Sequence, residues 1–343
     1  MIRVLIVDDS PFIRIALRKV LSSAPDIEVV GEASNGEEAI RLTEALKPDV
    51  VTLDINMPVM DGLEALGEIV KRCPTCRVLM VSALTKEGAR ETIEALDRGA
   101  LDFITKPSDY KDLFAFREEI IGKVRAVYQS GLRKVKEAPP PPRRRVRGEF
   151  TRPPVIAVGI STGGPQTLNY VLSRLPEDFP SPILIAIHMP DTFTATFARH
   201  LDALCRLPVK EAQEGEVIEG GRVYVSKGRV HMTLRGNPER ATVRYVEDDR
   251  YLYKPSADLL LSSCAEVFRS DTVGVVMTGM GNDGSRGIVE VKKAGGVTVA
   301  EDPRSAILWA MPENAIKTGC VDYVVPKEEL PGLFLKLVSG VRS

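Results

Sequence analysis

No helix passes through Pro139-Pro140-Pro141-Pro142, and no central strand can contain it. The run therefore divides the chain into two regions that fold separately. It continues into Arg143-Arg144-Arg145-Val146-Arg147-Gly148, so residues 130–151 read as a basic, extended, semi-rigid tether between regions 1–129 and 152–343. Such a run could touch nucleic acid or an anionic membrane, but its composition favours a solvated, protease-sensitive linker. The whole chain argues against a nucleic-acid coat, with Lys+Arg 46 against Asp+Glu 47 over 343 residues. Five cysteines are too few, and odd in number, for a disulfide framework. The apolar start gives way to Asp8-Asp9 too soon for a signal peptide, and no later run reaches the ~18 apolar residues of a membrane span. A cytoplasmic protein without membrane insertion is expected.

Before the tether, strand-like runs at Ile2–Val7, Ile27–Val30, Val50–Leu53, Val78–Val81 and Phe103–Thr105 alternate with helix-like stretches, and a last helix capped by Ser108 follows. That rhythm predicts a doubly wound, five-stranded parallel sheet. After the tether, Val155–Val158, Ile183–Ile187, Val273–Met277, Val297–Ala300 and Val321–Val325 predict a second doubly wound, mostly parallel α/β domain. Arg222–Ser226, Val230–Leu234 and Thr242–Val246 read as an antiparallel insertion in it.

Ligands of open parallel sheets gather at the carboxyl ends of the strands. In the first region Asp8, Asp9, Asp54, Ser82 and Lys106 all fall there. Three converging carboxylates call for a hard divalent cation such as Mg2+, which suggests phosphoryl chemistry. Asp54 would be the nucleophile, Mg2+ and Lys106 would neutralise the equatorial oxygens, and the Ser82 hydroxyl would sense the new group. The segments Val7-Asp8-Asp9-Ser10, Leu53-Asp54-Ile55-Asn56-Met57-Pro58, Met60-Asp61-Gly62, Val81-Ser82-Ala83 and Thr105-Lys106-Pro107 resemble the response-regulator receiver family. The resemblance implies that Asp54 is the phosphoacceptor, that Asp9 and Asp54 bind Mg2+ with the Asn56 carbonyl, and that Asp8 acts through water. It also puts Phe103 at the aromatic switch position. Cys73-Pro74-Thr75-Cys76 follows a helix instead of opening one and lacks further zinc ligands nearby, so it is expected to be a turn with two reduced thiols.

In the second region Gly159-Ile160-Ser161-Thr162-Gly163 fits G-x-S-x-G at a strand-to-helix turn. Alone, the pattern suits a phosphate-cradling loop or a capped turn equally well. Only three histidines can supply a base. His188 ends a strand at the same sheet edge as Ser161, whereas His200 lies inside a helical run and His231 inside an insertion strand. Asp283, in the Gly-rich loop after Val273–Met277, can hold the His188 tautomer, and the Thr162 and Met280 amides could form an oxyanion hole. The order Ser, His, Asp differs from that of α/β-hydrolases.

These segments, with His188-Met189-Pro190, Thr278-Gly279-Met280-Gly281-Asn282-Asp283-Gly284, Lys254-Pro255-Ser256-Ala257-Asp258 and Met311-Pro312, are similar to the catalytic domain of the CheB family of chemotaxis protein-glutamate methylesterases. The resemblance implies hydrolysis of glutamyl methyl esters on methyl-accepting chemoreceptors and deamidation of receptor glutamines. It further implies a CheA-type histidine kinase as phosphodonor and no cofactor for the ester chemistry. Two other classes remain open from the residues alone. One is a response regulator with a non-enzymatic output, and the other is a serine peptidase or lipase of unknown substrate.

Overall fold

The computed structural model describes residues 1–106, 113–130 and 150–340. Ser108 and the Pro/Arg run lie outside them. The chain divides into two compact units, Met1–Lys134 and Val135–Ser343.

In the first unit β1 (Ile2–Val7), β2 (Ile27–Ala33), β3 (Val50–Asp54), β4 (Arg77–Ser82) and β5 (Asp102–Thr105) form one sheet in the order β2-β1-β3-β4-β5. Every neighbouring pair is parallel. The connections are α1 (Pro11–Leu21), α2 (Gly36–Leu46), α3 (Gly62–Arg72) and α4 (Lys86–Asp97), and α5 (Leu113–Gln129) closes the unit. Each of the first four starts on a polar cap, Ser10, Asn35, Asp61 and Thr85, whose side-chain oxygen accepts a backbone N–H of the first turn. These caps stop the strand-end loops short and leave Asp8, Asp9 and Asp54 at one rim. The order of the central strands β1 and β3 makes that rim a switch point of the sheet.

Cys73 and Cys76 form a disulfide, contrary to the expected reduced pair. Cys73 is the C-terminal cap of α3, and the turn bond from Cys76 N–H to the Cys73 carbonyl (2.9 Å) folds the two back together. Their Cα atoms are 5.3 Å apart, within bridging range. Lying after a helix bars the pair from a thioredoxin-type role but not from closing on itself across a tight turn. Cys205, Cys264 and Cys320 are free.

The second unit is built on β6 (Val155–Ile160), β7 (Ile183–Ile187), β8 (Val209–Glu211), β9 (Val223–Val225), β12 (Thr272–Val276), β13 (Val297–Glu301) and β14 (Tyr323–Val325), in the order β14-β13-β12-β6-β7-β9-β8. All six pairings are parallel. Strands β6, β7, β12 and β13 are buried along their whole length, as continuous apolar runs in a covered parallel sheet must be. Among the described strands, β10 (His231–Asn237) and β11 (Arg240–Val246) pair antiparallel, as a separate hairpin. Arg222–Ser226 was expected in that insertion; its strand β9 instead pairs parallel with β7 and β8. The hairpin packs Met232, Leu234 and Val243 against Leu260, Leu261 and Cys264 of α8 (Ala257–Phe268). The remaining helices are α6 (Gly164–Leu172), α7 (Asp191–Leu204), α9 (Ser285–Lys293), α10 (Ala310–Lys317) and α11 (Leu330–Val338). No helix among the described residues is long and apolar enough to cross a membrane.

Candidate functional sites

The acidic rim of the first unit brings together three of the expected residues. One carboxylate oxygen each from Asp8, Asp9 and Asp54 lies within 4.8 Å of the others. Asp8 and Asp54 are buried while Asp9 is exposed. Lys106, just past β5, holds its Nζ 2.8 Å from Asp8 Oδ2 and 2.8 Å from Asp54 Oδ2. Burial pushes the Asp54 carboxyl up, Lys106 opposes the rise, and the charge of Asp8 adds to it, so that it stands at about 6. Burial works against the Lys106 charge, yet Asp54 and Asp8 outweigh it and hold the ammonium above the ordinary lysine range.

Ser82, at the end of β4, is not turned to this cluster. Its hydroxyl accepts from Thr92 Oγ1 (2.7 Å) and donates to the Gly88 carbonyl (3.3 Å), both on α4. Phe103 is buried in β5, with Lys123 Nζ 5.7 Å from its ring centre. Asn56 is exposed in the loop after Asp54, and its side-chain amide donates to Glu91.

In the second unit the strand carrying Ser161 lies between the other two. β6 is flanked by β7, which is followed at once by His188, and by β12, which leads into the Asp283 loop. The chain leaves β6 to one side and later returns on the other, so the crevice opens at the carboxyl end of β6. The turn there depends on glycine. Gly163 has φ +75° and is the N-terminal cap of α6, and a Cβ on it would meet Ile307 at 2.6 Å. Gly279 lets the β12 loop close on the Ser161 turn, since a Cβ on it would lie 2.8 Å from Ser161 Cβ and 2.2 Å from Met311 Sδ.

His188 Nε2 donates to Asp283 Oδ2 at 2.8 Å. The same oxygen accepts Ala257 N–H (2.7 Å), while Oδ1 accepts Ser256 Oγ–H (2.9 Å), Asp258 N–H (2.9 Å) and Gly284 N–H (3.0 Å). Asp283 thus sits on the N-terminus of α8, whose free amides and dipole favour a negative charge. Burial alone would raise its carboxyl; the His188 bond and the Asp258 and Ala257 amides more than offset that and hold it below the ordinary aspartate range. With Nε2 committed to Asp283, His188 Nδ1 is buried and has no hydrogen-bond partner among the described residues. It is the ring nitrogen that Asp283 leaves unengaged. Ser161 N–H donates to the Thr278 carbonyl (2.9 Å), and Thr278 Oγ1 donates to the Thr162 carbonyl (2.8 Å), which ties the Ser161-Thr162 turn to the loop carrying Met280.

The other two histidines lie apart from this set. His200 is on α7, with Nε2 3.4 Å from Asn169 Nδ2. His231 is fully buried; its Nδ1 accepts Ser256 N–H (3.0 Å) and its Nε2 donates to the Asp248 carbonyl (3.1 Å). It braces the residue that caps α8 and so supports Asp283 at one remove. Sequence reasoning missed Tyr253, whose ring stacks on His188 with centroids 4.5 Å apart and planes 6° apart. No periodicity marks it, since it comes from a loop; its place beside Lys254-Pro255-Ser256 was the only available hint.

The two units therefore define a protein that joins, in one chain, a receiver-type acidic rim to a parallel sheet whose strand ends carry Ser161, His188 and Asp283. Residues 156–334 match the CheB methylesterase family model and residues 4–117 the response regulator receiver domain model. A protein-glutamate methylesterase/protein-glutamine glutaminase of Pyrococcus abyssi is 44% identical, covering 100% of this chain and 95% of the relative. One of the same name from Thermotoga maritima is 41% identical, covering 98% of each. The crystal structure of the Thermotoga maritima CheB methylesterase catalytic domain superposes with TM-score 0.53 at 36% identity, covering 54% of this chain and 98% of that domain. This chain belongs to the CheB methylesterase family, with a response-regulator receiver at its amino end.

Proposed function

We propose that the chain is a protein-glutamate methylesterase and protein-glutamine glutaminase acting on methyl-accepting chemoreceptors, controlled by phosphorylation of Asp54. The observation that carries this reading is the His188 Nε2–Asp283 Oδ2 bond of 2.8 Å, with Asp283 fixed on the α8 N-terminus. That bond sets the tautomer and leaves Nδ1 for the nucleophile. Ser161 Oγ attacks the ester carbonyl as His188 Nδ1 takes its proton, and the imidazolium is stabilised by Asp283. The oxyanion accepts N–H bonds from Thr162 and Met280 next to the start of α6. Collapse breaks the C–O bond and His188 gives its proton to the leaving methoxide, releasing methanol; a glutamine releases ammonia by the same route. Water, activated by His188, then hydrolyses the acyl-enzyme.

In the receiver, Asp54 accepts the phosphoryl group from a CheA-type kinase, with Lys106 beside it. Three carboxylate oxygens within 4.8 Å form an all-oxygen donor set that suits Mg2+. Bound there by Asp8, Asp9, Asp54 and the Asn56 carbonyl, the ion would supply neutralisation of the transferring charge. Engagement of a phosphoryl group by Ser82 requires its hydroxyl to leave Thr92 and Gly88 on α4, and movement of the segment after β4 is the switch we assign to it. The order of domains, 1–129, 130–151 and 152–343, puts the whole esterase set after the tether.

The test is methanol release from methyl-labelled receptor membranes, with and without acetyl phosphate plus Mg2+. Wild type is expected to release methanol faster when phosphorylated. Ser161→Ala should release none while still phosphorylating at Asp54. Release from Ser161→Ala at the wild-type rate would refute the nucleophile.

A further inference from the structure

Glu301, the last residue of β13, is fully buried, and the proposed mechanism makes no use of it. A carboxylate with no solvent contact is costly unless hydrogen bonds compensate it. Its Oε2 accepts the N–H of Thr278 at 2.8 Å, and its Oε1 accepts the Ser305 hydroxyl at 3.0 Å. Ser305 Oγ in turn accepts Lys327 N–H at 3.0 Å, which anchors the carboxylate to the segment after β14.

Thr278 is the hub of the catalytic turns. Its carbonyl accepts Ser161 N–H (2.9 Å), its hydroxyl donates to the Thr162 carbonyl (2.8 Å), and the same hydroxyl accepts Leu308 N–H (2.9 Å). The next residue, Gly279, exchanges backbone bonds with Leu308 and Met311 (2.9 and 3.0 Å). Every polar group of Thr278 is thereby fixed, and among the described residues Glu301 is the side chain that accepts from its N–H. Glu301 fixes the Met277–Thr278 peptide, and the carbonyl that accepts Ser161 N–H lies in the next peptide, so a shift of Thr278 as a whole would move the Ser161 amide, the Thr162 carbonyl and the approach to Met280 together.

We infer that Glu301 is a positioning residue for acyl transfer, holding Thr278 in place through its N–H so that the nucleophile turn and the Thr162 and Met280 amides keep a reactive geometry. The inference rests on the serine esterase reading above. Carboxylate and protonated carboxyl can both serve, because a neutral acid still accepts Thr278 N–H through one oxygen and can donate to Ser305 Oγ through the other. This matters because burial raises the Glu301 carboxyl to about 7, against the lowering effect of Thr278 N–H, Ser305 and the charge of Lys327, with Glu328 adding to the rise. The neighbouring charges Asp302 and Arg304 are paired with each other (2.6 Å).

The experiment uses the full chain on methyl-labelled receptor membranes. Active serines are counted by a fluorophosphonate label, so that kcat is expressed per labelled serine. Glu301→Leu removes the acceptor, and we expect kcat to fall about a hundredfold with KM unchanged, the cost of a small displacement of reacting groups. Glu301→Gln keeps an acceptor oxygen and should restore kcat to within roughly tenfold of wild type. If Glu301→Leu lowers Tm and the labelled fraction but leaves kcat per labelled serine intact, the role is merely structural and the inference is overturned. If Glu301→Leu does not fold, Ser305→Ala carries the test, with a several-fold loss of kcat at constant KM expected; an unchanged kcat overturns it. A wild-type chain that labels but releases no methanol refutes the esterase reading and the inference with it, whereas an active wild type with an equally active Glu301→Leu refutes only the assignment to Glu301.

Discussion

Asp283→Asn separates the two tasks of the buried carboxylate. Asparagine supplies one accepting oxygen and one donating NH2 in place of two acceptors. With the amide oxygen at the Oδ1 position, the Asp258 and Gly284 amides and the Ser256 hydroxyl keep their acceptor, and only Ala257 N–H loses one. The opposite rotamer strands two amides, so the first prevails. Its NH2 then faces His188 Nε2, which must accept instead of donate, and the ring proton moves to Nδ1, the nitrogen required as base. The wrong tautomer should lower kcat by about 10^4, roughly 5.5 kcal/mol in the barrier. The fold should lose only about 1–3 kcal/mol, for one unpaired buried N–H facing a donor. Steady-state methanol release together with a denaturant titration measures both. A folded Asp283→Asn variant retaining a tenth or more of wild-type kcat would refute the assignment of Nδ1 as the base.

Three further outcomes are expected. In the receiver the Asp54 carboxyl stands at about 6 against 3.8 unperturbed, so the folded state holds its proton to higher pH. Stability should drop as pH rises from about 4 through 6, by roughly 3 kcal/mol at about 1.4 kcal/mol per pH unit. Asp54→Asn should flatten that decline in a pH series of Tm without Mg2+, and should abolish phosphorylation by acetyl phosphate. Glu301 obeys the same sign, from 4.5 to about 7, so Glu301→Gln should gain Tm over wild type at pH 8 more than at pH 5, and an equal difference at both would show that the carboxyl titrates normally. His231→Leu should cost about 1–3 kcal/mol of stability by leaving Ser256 N–H unpaired, and should lower kcat several-fold through Asp283; a wild-type unfolding midpoint would count against the brace.

Strand ends were legible because a buried parallel strand writes itself as an apolar run, and the polar residue that breaks it marks the rim. Asp8, Asp54, Ser161 and His188 could be placed by that rule alone. The rule fails for short strands: β8 has three residues, of which Lys210 and Glu211 are charged, and β9 stands between glycine turns that suggested a hairpin. It also hides Glu301, which ends an apolar run as Asp54 does but faces a neighbouring loop. Contacts made by loops across the crevice, Tyr253 on His188 and Ser256 on Asp283, carry no periodic signal. The Cys73–Cys76 link depended on the turn closing, which spacing alone did not decide.

The parallel order β12-β6-β7 has a consequence for synthesis. Ser161 leaves the ribosome early, but the hydroxyl that fixes Thr162 belongs to a residue 116 positions later, and the carboxylate for His188 lies 95 positions beyond the imidazole. Until β12 inserts beside β6, a nascent chain carries a serine with neither oriented base nor anchored turn. Hydrolytic competence should therefore arrive in one step when the sheet closes, after Glu301 has emerged, so that partly made chains are inert toward esters and the appearance of activity during translation reports completion of the fold.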